Sequence, residues 1–276
     1  MSVAAVNDAA AGGERPRRWR LLLRACAAAR RNRSRRSTGD TDAMSQLVLV
    51  RHAQASFFGA NYDELSELGC SQARALGEHW ARHGVRFDHV YVGPLRRHQQ
   101  TLALVAAAFR AQGLAWPEPR ELPDLDEHDG LAVLRHAFGR AGDAAPAMPA
   151  GAPSDGEREQ LQRAFFKQYV TVMRDWARGA VAVPGTEPWA EFRARSLRAL
   201  DLMCAEPGAA VAFTSGGLVS SAAGWLLGLD DERVIDLSAV LRNTGLTEVQ
   251  FAARRRRLVS FNAIPHLPDP ATATAV

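Results

Sequence analysis

Three short stretches hold residues whose types and spacing could do chemistry. In "LVLVRHAQAS", residues 47–56, four apolar residues run straight into Arg51 and His52. A buried strand that ends in a guanidinium and an imidazole side by side either caps itself in solvent or carries both groups into a ligand crevice. In "GPLRRHQQT", residues 93–101, Arg96 and Arg97 fall in the first turn of an expected helix. The macrodipole disfavours cations there, and an anion nearby would compensate. "TSGG", residues 214–217, precedes a further helix and offers unhindered backbone N–H groups, with Ser215 and Gly216 foremost, at a positive helix end. A dianionic phosphate would satisfy all three, because guanidinium forks pair bidentately with its oxygens.

The elements around these stretches must bring them together. The apolar run before Arg51 reads as a strand buried on both faces. A helix is expected from Glu67 to His83, with Ser66 as N-cap, Gly84 past its end and an apolar stripe of Leu68, Ala73, Leu76 and Trp80. "FDHVYVG" reads as a second strand, and Pro94 as the opening of a second helix that carries Leu102, Val105 and Phe109. Strand–helix alternation of this kind makes a parallel sheet with helices packed on it. A helix from Trp189 to about Ala205, the strand "AAVAFTS", the helix "LVSSAAGWLLGL" and an antiparallel pair, "LTEVQFA" with "RLVSFNA", complete the pattern. Between about 130 and 188 helical pieces flank a Gly/Pro/Ala loop, which reads as a helical cap inserted over the sheet. In an open α/β sheet, ligands bind beyond the carboxyl ends of the strands, where all three stretches fall.

Composition permits such a domain: 276 residues, 47% hydrophobic and 23% charged, suffice for one sizeable domain or two small ones. No apolar run approaches the roughly 20 residues of a membrane helix, so a soluble chain without a membrane partner is expected. Cys26, Cys70 and Cys204 form no CxxC pair, which argues against a disulfide framework or zinc site and suits the cytoplasm. Positive charge is concentrated at one end. Residues 1–43 hold ten arginines against Asp8, Glu14, Asp40 and Asp42, a net +6; the whole chain is +4, which leaves −2 for residues 44–276. We read 1–43 as a basic, disordered extension with Met44 as the natural start of the domain, and nucleic acid is not an expected partner.

The segment "LVLVRHAQAS…YDELSELGCSQARALGEHW…FDHVYVGPLRRHQQT" resembles the histidine phosphatase superfamily, also called phosphoglycerate mutase-like. That family begins with Arg-His-Gly, continues into a helix of pattern L-T/S-x-x-G-x-x-Q-A, and reaches S-P-L-x-R-A-x-Q-T after a strand. The resemblance runs from about Leu47 to Phe261. It implies a three-layer α/β sandwich, a mostly parallel sheet with helices on both faces and a helical cap insertion. It implies His52 as the nucleophile that becomes phosphohistidine, with Arg51 and Arg97 holding the phosphoryl oxygens. A neutral imidazole nitrogen can attack phosphorus when its other N–H is fixed by a backbone carbonyl.

The family's acid is a glutamate after the third strand region, and the match falls on Glu127 in "LPDLDEHDG". Asp124, Asp126 and Asp129 crowd it, so its pKa is expected to rise toward use as a proton donor. A solvated acidic loop, or a divalent-cation site with His128, are the other readings of that stretch. Two departures stand out. Ala53 replaces the glycine after the histidine, and Ser215 stands where the family has a second histidine, in S-H-G-G. Introducing that histidine, Ser215→His, is expected to supply a cationic contact and raise turnover. The function implied is phosphomonoester hydrolysis through phospho-His52, with Ser215 and Gly216 at the phosphate and no metal or other cofactor. The substrate would be a small phosphomonoester or a phosphoprotein. A catalytically weak phospho-ligand-binding module is the alternative, and a mutase a further one.

Overall fold

The computed structural model describes residues 44–56, 63–141, 155–252 and 255–275. The basic extension 1–43 and residues 142–154 of the Gly/Pro/Ala loop, both singled out above, lie outside them. In chain order the elements are β1 (Ser45–Arg51), α1 (Glu67–Arg82), β2 (His89–Val92), α2 (Arg96–Ala111), β3 (Pro119–Glu121), α3 (Gly130–Ala141), α4 (Asp155–Ala177), α5 (Trp189–Met203), β4 (Ala209–Thr214), α6 (Gly216–Leu227), α7 (Asp231–Val240), β5 (Leu246–Ala252) and β6 (Arg255–Ala263).

One mixed sheet runs β3-β2-β4-β1-β5-β6. The four strands from β3 to β1 are parallel, whereas β5 pairs antiparallel with β1, and β6 with β5. Strand alternation sorts the side chains into two layers. Val48, Val50, Val90, Val92, Val211 and Phe213 face Leu76 and Trp80 of α1 and Leu102, Val105 and Phe109 of α2. Leu47, Leu49, Tyr91, Ala210 and Ala212 face α5 and α6 on the other side. This explains why β1 is apolar at every position from Leu47 to Val50: it lies between β4 and β5 with a helical layer on each face. A third cluster joins Val133 of α3, Met173 and Trp176 of α4, Trp189 and Phe192 of α5, and Val234 and Ile235 of α7.

Local signals set the helix ends with two corrections. The Ser66 side chain accepts a hydrogen bond from the Gly69 N–H at 3.0 Å and caps α1 as expected. The helix after Pro94 starts later than expected, with Leu95 as a side-chain-free cap and Arg96 as its first residue. Its orphan N–H groups are satisfied from a distance: Asp63 Oδ2 accepts from the Arg96 N–H at 2.9 Å. α6 begins earlier than expected, both glycines of "TSGG" being helical. α7 and the short β3 carried too weak a periodicity to be expected. Among the described residues no helix is long and apolar enough to cross a membrane.

Candidate active site

The strands β2, β4 and β1 are neighbours and point the same way, so their carboxyl ends open on one crevice. Arg51 pairs with Thr214 in the β1–β4 register, and the His52 N–H donates to the Thr214 carbonyl at 2.8 Å. His52 and Ser215 therefore leave adjacent strands side by side, while Gly93 leaves β2 on the other side of β4, its N–H bonded to the Phe213 carbonyl at 3.0 Å.

His52 is 6% exposed. Its Nδ1–H donates to the Ala53 carbonyl at 2.7 Å, which leaves Nε2 with the lone pair. Burial, then Arg97, Arg51 and His98, hold its pKa well below the ordinary histidine value, so the ring is neutral at pH 7. Its backbone is fastened from several elements. The Ala53 N–H donates to Thr101 Oγ1 of α2 at 3.0 Å, and Asn243 Nδ2 donates to the His52 carbonyl at 3.2 Å. The Thr244 N–H donates to the carbonyls of Arg51 and His52 from a left-handed backbone (φ 55°), a conformation that persists in a non-glycine residue only where neighbours hold it. His266 is buried with Nε2 2.8 Å from Thr244 Oγ1.

The two arginines are both at the site and both already engaged. Arg51 Nη1 donates to the carbonyls of Leu241 and, at 2.5 Å, Ala275, while Arg51 Nε lies beside Gly216 at the start of α6. Arg97, buried, donates from Nη1 to Asp63 Oδ1 at 2.8 Å. The anion that the arginine-bearing helix start called for is thus supplied in the first instance by the protein itself.

Glu127 departs from expectation. Its Oε2 accepts from the Gly217 N–H at 3.0 Å, and its Oε1 lies 2.7 Å from His128 Nδ1. A Cβ on Gly217 would come within 2.2 Å of that carboxylate, so the second glycine of "TSGG" makes room for it. Burial alone would push the Glu127 carboxyl up, but the His128 ring, the Gly217 N–H and the charge of Arg97 hold it well below the usual carboxylate range. The rise expected for Glu127 falls instead on half-buried Asp126, chiefly through desolvation. None of the three acidic neighbours sets the Glu127 pKa; an imidazole, a helix start and Arg97 do. Among the described residues no group of three or more His, Cys, Asp and Glu is arranged to hold a metal ion.

This geometry has relatives. The profile of the histidine phosphatase superfamily (branch 1) matches residues 47–157 and 154–264. The chain belongs to the histidine phosphatase superfamily. The 2,3-bisphosphoglycerate-dependent phosphoglycerate mutase of Rhizobium etli is 42% identical over 100 residues, 31% of this chain and 47% of that protein. The chain thus spans less than half the length of the curated relatives it matches. Among solved structures, phosphoglycerate mutase from Bacillus anthracis aligns with a TM-score of 0.56 at 17% identity, covering 83% of this chain and 98% of that one. Phosphoserine phosphatase from Entamoeba histolytica, in complex with 3-phosphoglyceric acid, aligns with a TM-score of 0.52 at 19% identity, covering 80% and 98%. At such identities these structures share the fold.

Within the superfamily pattern, sequence reasoning overlooked three residues. His98, fully buried, has its ring centroid 5.7 Å from that of His52 and its Nε2 2.6 Å from Ser215 Oγ. Asp63 ties Arg97 to the loop before α1. Arg195 of α5 donates to the carbonyls of Asp124, Asp126 and Glu127 at 3.2, 2.7 and 3.3 Å and pairs with Glu187 at 2.5 Å, so it holds the Glu127 loop in shape. A signal for His98 existed: Gly93 and His98 depart from S-P-L-x-R-A-x-Q-T, where the family has Ser and Ala, just as Ser215 departs from S-H-G-G. The benefit expected of Ser215→His depends on room beside residue 215, where the buried His98 ring stands.

Proposed function

We propose that this chain is a phosphomonoester hydrolase acting through a phosphohistidine at His52. The observation that carries the reading is the state of that ring: buried, neutral, with Nδ1 tied to the Ala53 carbonyl and Nε2 left as the nucleophile beside Arg51 and Arg97. Nε2 attacks phosphorus, the bond to the ester oxygen breaks, and that oxygen leaves with its electron pair and takes up a proton. Water then attacks the phosphohistidine, releasing inorganic phosphate and restoring the imidazole. The two guanidinium groups neutralise charge on the phosphoryl oxygens, which is the main requirement of such transfers.

Glu127 is ionised in the free protein and suits the second step, as base for the attacking water. It serves the first step as acid only once a dianionic substrate beside it has raised its proton affinity. In this reading α3 and α4 belong to the cap that selects the alcohol part, a small metabolite or a phosphorylated protein side chain. Phosphatases stand among the structural neighbours, as phosphoserine phosphatase does by name.

The test is an assay across a panel of phosphomonoesters beside His52→Ala, with acid quenching to trap protein-bound phosphate. Turnover and an acid-labile phosphate, both abolished in His52→Ala, are the expected result. Phosphate binding without turnover on any ester would favour the non-catalytic phospho-ligand module, and net transfer of the phosphoryl group between substrate positions would favour a mutase.

A further inference from the structure

Ser215 is the N-cap residue of α6, a position where serine ordinarily accepts a hydrogen bond from the helix, yet its side chain makes no capping bond. That role belongs to Glu127, which takes the Gly217 N–H. The Ser215 hydroxyl is turned instead to His98 Nε2 at 2.6 Å, and both side chains are fully buried. The opposite nitrogen of the ring, Nδ1, has no hydrogen-bond partner among the described residues. It lies against Gly93, where a Cβ would approach it to 2.3 Å, so the glycine makes space for the ring without offering it a partner.

The orphan nitrogen decides the tautomer. A buried N–H without an acceptor is rarer than a buried acceptor without a donor, so the proton sits on Nε2 and Nδ1 keeps its lone pair. Nε2–H then donates to Ser215 Oγ, and the hydroxyl hydrogen of Ser215 must point elsewhere. The register gives Ser215 its neighbour: it follows Thr214 out of the sheet beside His52, which leaves the adjacent strand about 4.8 Å away.

We propose that His98 and Ser215 act as one unit in which His98 aims the Ser215 hydroxyl at the phosphoryl group held over His52 Nε2. Ser215 touches the phosphoryl oxygen, and His98 is a positioning residue that acts through it. The unit is neutral, since burial and then Arg97 bring the His98 pKa down to about 3, so it adds no positive charge to that of Arg51 and Arg97. The proposal rests on the phosphohistidine reading for its kinetic consequences, but the hydrogen bond to phosphate stands without turnover.

Two readouts separate the two. In kinetics on a phosphomonoester, Ser215→Ala and His98→Ala should each lower kcat about ten- to a hundredfold with a much smaller change in KM, as loss of one donor to a transferring group does. The double variant should be no worse than either single one, and His98→Gln, whose amide can still donate to Ser215, should recover part of the loss. Ser215→His alone should be impaired by crowding against His98, whereas Ser215→His combined with His98→Ala should regain most of the activity. Calorimetric titration with inorganic phosphate should show an affinity loss of about fivefold in each single variant and no further loss in the double.

Independent, multiplying losses in the double variant, or a Ser215→Ala protein with unaltered kcat and phosphate affinity, would overturn the unit. A wild-type chain that binds phosphate with this coupling but hydrolyses nothing would retire the phosphatase reading and leave the unit standing. A chain that neither binds nor turns over phosphate would retire both.

Discussion

Burial, two arginines and a histidine keep the His52 ring unprotonated, and the Ala53 carbonyl decides which nitrogen is exposed to phosphorus. The same surroundings act oppositely on Glu127, whose carboxylate is stabilised by an imidazole, a helix N–H and Arg97. One crevice thus holds a histidine that resists gaining a proton and a glutamate that resists keeping one. If Glu127 nevertheless delivers the leaving-group proton once substrate is bound, Glu127→Gln should lower kcat/KM, which reports the step up to leaving-group departure, by about 10² or more on alkyl phosphates and far less on nitrophenyl phosphate, since nitrophenolate leaves unaided. Losses in kcat alone, measured on both, would confine Glu127 to the water step. At this scale the sequence was legible for where residues sit on the elements: Arg51 ends β1, His52 and Ser215 follow β1 and β4, and Arg97 stands in the first turn of α2. It was not legible for what those residues touch. The His128 ring that faces Glu127 and the Asp63 carboxylate that meets Arg97 are fixed by loop geometry, which no periodicity encodes.

At the scale of elements, the site depends on loops that helices hold from outside. Arg195 projects from α5 across the Glu127 loop, donates to the carbonyls of Asp124, Asp126 and Glu127, pairs with Glu187 and stacks over the Phe192 ring at 4.7 Å. Removing it orphans carbonyls in a half-buried loop and leaves Glu187 without its cation. Arg195→Gln should lower the unfolding free energy by about 2 kcal/mol in urea titrations. It should also reduce kcat more than it raises KM, because Glu127 is displaced while the arginines of the phosphate site are not. Preserved kcat in a destabilised Arg195→Gln protein would reduce Arg195 to a stability role. The sequence showed that a helix ran from Trp189 to about Ala205, and it even showed Glu127 in an acidic loop. Nothing in either stretch showed that one would clamp the other, since their contact spans about 70 residues of intervening chain.

For the molecule as a whole, several buried histidines make stability a function of pH. His98 and His266 have pKa values of about 3, in both cases first because of burial, and half-exposed His79 is lowered to about 4 by burial and His83. Below pH 6.5 the unfolded chain binds protons that the folded chain refuses, so stability is full above that value and falls as pH decreases. Each wholly silent histidine contributes a slope of about 1.4 kcal/mol per pH unit in that window. Glu127, depressed in the fold, adds its own loss only below the ordinary carboxylate range, near pH 4. Urea midpoints measured from pH 7.5 to 5 should therefore decline steadily below 6.5, and His266→Gln should flatten the decline by about one histidine's share.

The strand order also has a consequence for how the chain is made. β1 is the first strand among the described residues, yet both its neighbours, β4 and β5, follow much later, with Ala209 lying 158 positions after Arg51. At about 5–20 residues per second, the ribosome needs roughly 10–30 s to produce the first of those partners. Throughout that interval the apolar run Leu47–Val50 lacks the partners it has in the folded sheet. The histidine that follows it cannot be set in place until Thr214 has emerged, so the nascent protein depends on whatever shields this strand in the meantime.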